Sequence, residues 1–107
     1  MSLRHYVLND DHSVRPEPDL ARWSLSFGRA NRFVGWTEIT REVTVSTVFI
    51  GVDHRMRDEG PPLLFETVVF GGVLDQCIWR YASWHDAEAR HAAAVRKARE
   101  AQRAHNR

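Results

Sequence analysis

Apolar and polar residues alternate most clearly between Val43 and Gly72. VTVSTVFIGVDH is followed by the charged loop RMRDEG and then by PPLLFETVVFGG. β-Branched residues dominate both arms, and such side chains suit a pleated, half-buried surface. Successive strand residues face opposite sides. Val43, Val45, Thr47 and Phe49 therefore share one face, and Thr44, Ser46, Val48, Ile50 and Val52 share the other. The second set turns apolar only in its later half, so burial there is expected to begin near Val48. Phe33 to Ile39 predicts the preceding strand, with Phe33, Gly35, Thr37 and Ile39 on one face and Val34, Trp36 and Glu38 on the other. Thr40 and Arg41 form the hairpin tip. Leu63 to Phe70 follows Pro61-Pro62, which cannot donate to an interior ladder. Gly71-Gly72 allows a turn with positive φ. Gln76 to Ala82 is the last strand, with Cys77, Trp79 and Tyr81 on one face. His5 to Leu8 reads as a short edge strand, and Pro16 and Pro18 keep the next stretch extended.

Two segments change to a helical period. Leu20, Trp23, Phe27 and Ala30 recur at spacings of 3, 4 and 3 after the helix-opening Pro18-Asp19. Ser24, Ser26 and Gly28 weaken this helix, which needs Trp23 and Phe27 packed on something. Ser83 is an N-cap for the second helix, with Asp86 three residues on. Trp84, Ala87, His91, Val95 and Ala98 form its inward stripe. Beyond Ala98 little remains to bury. Four antiparallel strands in hairpin order, or five with His5 to Leu8, flanked by two helices, predict one α+β domain over residues 1–107. Both helices are expected on one sheet face, with 99–107 as a basic helical tail that projects or frays.

The length of 107 residues, with 43% hydrophobic and 27% charged residues, excludes a wholly disordered chain. The single Cys77 rules out an intrachain disulfide and a multi-thiolate zinc site. No apolar run occurs in the first twenty residues and none long enough to span a bilayer occurs anywhere, so a cytoplasmic protein is expected. The formal net charge is only +1, but Arg96, Lys97, Arg99, Arg103 and Arg107 outnumber Glu100 at the C-terminal end.

STVFIGVDH, GPPLLFETVVFGG and RYASWHDAEARHAAAV together resemble a group of small uncharacterised bacteriophage and prophage proteins. The group's pattern runs STVFLGLDH, a short Gly-rich loop, PPxLFETMVFGG, a strand ending in RYxTW, and a helix of EAxxGH type. DLARWSLSFGRANRFVGWTEI is similar to its ARWFE-type helix and following strand. The resemblance covers residues 19–95. It implies a phage-type origin and action in the host cytoplasm, and brings no activity, cofactor or catalytic residue. This chain departs from the group in its charged loop RMRDEG and in Ala89-Arg90 before His91.

Candidate chemistry is sparse. Asp53, His54, Glu66 and His91 are the residues available to a hydrolase or nucleotide-binding site. Each also has a plain structural reading: Asp53 as a loop cap, His54 as a solvated rim residue, His91 as a hydrogen-bonded core residue. Glu66 needs a partner such as Arg80, Arg22 or His91 if it is buried. Metal binding by His54, Glu66 and His91 has no supporting motif, and His85 and His91 do not share a helical face. No Gly-rich phosphate loop or serine elbow is present, so no metal or other cofactor is implied. The leading expectation is a non-enzymatic accessory protein that binds a host or phage macromolecule, as an anti-defence protein does; the hydrolase or nucleotide-binding protein is the alternative, and a self-associating structural protein is a third reading. Contact is expected through Arg55, Met56 and Arg57 of the central loop and through Arg96, Arg99 and Arg103. A protein partner is favoured over nucleic acid, because no aromatic residues interleave with the C-terminal cations.

Overall fold

A computed structural model describes residues 4–106. Its elements run β1 (Tyr6–Leu8), β2 (Val14–Pro16), α1 (Leu20–Arg29), β3 (Phe33–Glu38), β4 (Thr44–Phe49), β5 (Phe65–Phe70), β6 (Ile78–Tyr81) and α2 (Trp84–His105). The fold is α+β: β3-β4-β5-β6 form an antiparallel meander, and β1-β2 form a separate two-stranded sheet. The second strand of that small hairpin is absent from the sequence expectation. Pro16 sits at its end, opposite Tyr6, where a missing N–H costs the ladder little.

The alternation read from β4 holds, and the helix-covered face of the large sheet is that of Val43, Val45, Thr47 and Phe49. Val45, Thr47 and Phe49 are buried there, beside Phe65, Thr67 and Val69 of β5. Phe49, Phe65 and Leu64 are sealed from solvent, and burying each side chain stabilises the fold by about 1.5–3 kcal/mol. Tyr6 and Tyr81 complete this cluster against Ala87 of α2; a second cluster joins Val43, Val45 and Val69 to Ala94, Val95 and Ala98. Alanines on the α2 stripe let the helix approach the sheet closely. Ser83 caps α2, its hydroxyl accepting from the Asp86 N–H at 3.1 Å.

Asp19 caps α1 in the same way, accepting from the Arg22 N–H at 3.0 Å. α1 packs on β1 and reaches the core through Phe27, whose ring lies 6.2 Å from that of Phe49. Trp23 stacks on Phe27 and donates its indole N–H to the Tyr6 carbonyl at 2.7 Å. Leu20, expected on the inward stripe, is exposed. The basic tail expected to project or fray is part of α2, which runs to His105 with Gln102 half-buried beside Gly72. Arg107 lies outside the described residues.

Two facing assignments change, those of Phe33 and Val34. Phe33 pairs with Val48 but Gly35 pairs with Thr47, so Val34 is a bulge residue. A bulge places one extra residue on one strand and reverses the alternation beyond it. Val34 therefore packs inward. Phe33 turns to the opposite face and meets Trp36 edge-on, with ring centroids 6.3 Å apart.

Candidate functional site

His91 sits where α2 crosses the sheet. Its Nδ1 lies 2.7 Å from the Thr47 hydroxyl and its Nε2 lies 2.9 Å from that of Thr37. Thr47 is in turn 2.6 Å from the Thr67 hydroxyl. One imidazole thus links the helix to β3, β4 and β5. The ring passes directly over Gly35, where an added Cβ would lie 2.7 Å from Cδ2. Burial pushes the His91 pKa down, and its partners are hydroxyls that also satisfy a neutral ring. Both nitrogens are used, so this histidine works as a core cross-link.

Asp53 organises the loop after β4. One carboxylate oxygen accepts from the Arg55 N–H at 3.0 Å and the Leu63 N–H at 3.1 Å; the other meets the Arg55 guanidinium at 2.7 Å. Burial opposes its charge, but these bonds prevail and hold the carboxyl below its ordinary value. Arg55 also donates to the Gly60 carbonyl, closing the loop, and its side chain is only 10% exposed. Arg55 is therefore a brace within the loop, contrary to its expected place in partner contact. Met56 is 90% exposed and Arg57 is also on the surface. The exposed His54 turns its ring back to the Val52 carbonyl, 2.7 Å from Nδ1.

Glu66 pairs with Arg80 at 3.1 Å across β5 and β6. The two lie in register with Val48, on the face opposite His91. The four candidate catalytic residues are thus dispersed: His91 under α2, Glu66 on the other face, and Asp53 and His54 in the loop. Among the described residues, no group of three or more His, Cys, Asp or Glu could hold a metal ion. No helix there is long and apolar enough to cross a membrane.

The basic residues are better grouped. At 100° per residue, Arg96, Arg99 and Arg103 fall within a narrow arc of α2, away from the Ala94-Ala98 stripe. All three are exposed, and none forms a salt bridge among the described residues. Arg99 and Arg103 border a 250 Å³ groove with Ile39, Thr40, Gln102 and Asn106. This arc lies at the β3-β4 turn, whereas the loop of Met56 and Arg57 joins the sheet at its other end. The two expected contact regions are separate surfaces.

A further surface went unseen in the sequence. α2 covers one face of the large sheet, with Phe27 of α1 reaching Phe49 on that side; the other face is open and carries Phe33, Trp36, Phe70 and Ile78 at 56%, 63%, 44% and 45% exposure. Large apolar residues at the polar positions of β3, β5 and β6 are its signal in the sequence. For Phe33 that signal is hidden by the bulge. Comparison with known proteins finds no matching family model, no matching curated protein and no matching solved structure.

Proposed function

We propose that this chain is a phage-type accessory protein without catalytic chemistry that binds an acidic protein surface in the host cytoplasm, as an anti-defence protein would. The observation that carries the reading is the arc of Arg96, Arg99 and Arg103, three exposed guanidiniums with no salt-bridge partner among the described residues. Such a cluster steers an oppositely charged partner and fixes its register. The resemblance to phage proteins supplies the biological setting. Dispersal of Asp53, His54, Glu66 and His91 counts against the hydrolase alternative, which needs them around one reacting atom. Nucleic acid is the weaker partner, because α2 has no aromatic residue after Trp84 to stack on bases.

Affinity capture from phage-infected cells tests this, using the wild type and the triple variant Arg96→Glu, Arg99→Glu, Arg103→Glu. A protein retained by the wild type, released as salt rises and absent from the variant is the expected result. Equal retention by a folded variant refutes the assignment, and retention abolished by nuclease identifies nucleic acid as the partner instead.

A further inference from the structure

The open sheet face is a regular grid. Trp36, Ser46, Val68 and Ile78 form its middle row from β3 to β6. Glu38, Thr44 and Phe70 form one outer row, and Phe33, Val48, Glu66 and Arg80 form the other. At about 150–250 Å² for an aromatic side chain, its four exposed large residues present on the order of 400 Å² of apolar surface. That equals the largest patch of an ordinary monomer, about 300–600 Å², which is often a functional surface.

Glu38 stands at one corner of this face and Arg80 at the opposite one, where Arg80 already pairs through Nε with Glu66 at 3.1 Å and has its terminal guanidinium nitrogens left for a second carboxylate. With strands about 4.8 Å apart and residues rising about 3.3 Å, the two are separated by about 14 Å across the strands and about 13 Å along them. We propose that the open face binds a second copy of this chain, the two sheets stacked with their strands nearly perpendicular. A twofold axis along the other diagonal exchanges the two corners. Each Glu38 then meets the partner's Arg80, so one symmetric contact gives two ion pairs. Phe33 falls on the axis against the partner's Phe33, and Phe70 falls near the partner's Ile78. Near-perpendicular stacking is one of the two preferred sheet-packing geometries. Two carboxylates against one guanidinium make the face unsuited to a phosphate backbone. With its rim, the face offers on the order of 600 Å² per copy, approaching the roughly 800 Å² per partner of a standard interface. This contact is independent of the α2 arc, which remains exposed in such a dimer.

Sedimentation from micromolar to millimolar concentration tests the proposal. The wild type is expected to dimerise, and Trp36→Glu to be monomeric with unchanged circular dichroism. Glu38→Arg and Arg80→Glu each replace two attractions with two repulsions and should weaken self-association about tenfold. Mixing these two variants restores both pairs. The two exchanged charges face each other, and the unaltered Glu38 of one variant meets the unaltered Arg80 of the other. The mixed dimer should therefore regain wild-type affinity. A wild type monomeric at millimolar concentration overturns the proposal. So does a Trp36→Glu variant that still dimerises, or a mixture no tighter than its components. A monomer that still captures an acidic protein removes the dimer and leaves the α2 reading standing.

Discussion

His91 unites packing and proton chemistry at one position. Its ring occupies space that exists because residue 35 has no Cβ, and its nitrogens serve Thr37 and Thr47. In the unfolded chain it titrates near 6.5, and in the fold burial lowers that value. Between the two values the unfolded chain binds more protons, so stability rises with pH across this window. The contribution is complete above 6.5 and is lost as pH falls from there toward the depressed folded value. Urea midpoints should therefore drop more steeply between neutral pH and about pH 5 for the wild type than for His91→Gln, which cannot titrate. Parallel slopes would show that the half-buried imidazole contributes nothing to acid sensitivity. The inward direction of His91 is legible in its spacing from Ala87 and Val95. Its three threonine neighbours are not, since they come from three separate strands.

At the scale of elements, one loop and one strand defect matter most. The RMRDEG segment reads as a solvated charged loop, yet Asp53 and Arg55 fix its base. Asp53→Ala removes the acceptor for two backbone N–H groups and the counter-charge of Arg55. Losing hydrogen bonds to a charged group should cost about 2 kcal/mol. Trypsin should then cleave after Arg55 and Arg57 faster than in the wild type; unchanged cleavage would mean that the loop is held by other contacts. The turn after β5 is rigid for a different reason. Gly71 has φ +83° and lies against the Glu42 carbonyl with no room for a Cβ. The Gly-Gly pair announces that turn in the sequence. The Val34 bulge has no comparable marker, because an extra residue is visible only against its partner strand.

The whole molecule is elongated, 52 × 29 × 20 Å. α2 is longer than the strands it covers, so its last turns lie beside the β3-β4 turn, where Gln102 and Arg103 border a groove with Ile39 and Thr40. With α2 on one side of the large sheet, the molecule is asymmetric, covered on one face and apolar on the other. Association through that face should make thermal stability depend on concentration, because mass action favours a folded dimer. The melting temperature of the wild type should rise with protein concentration, while that of Trp36→Glu should not; a concentration-independent wild type would indicate a stable monomer.

The α+β class, the meander, the starts of both helices, the alternation of β4 and the inward stripe of α2 were determined by the sequence itself. They follow from local rules: side-chain alternation, helical period and capping chemistry, all contained within a few residues. The tertiary structure decided the rest. It paired β1 with β2, inverted Phe33 through a bulge, tied Arg55 to Asp53, and set Glu66 and His91 on opposite faces. It also placed α2 over one side of the large sheet and α1 against β1, leaving Trp36 and Phe70 exposed. Those outcomes depend on strand register and on which layer covers which face, and both are properties of contacts between residues distant in the chain.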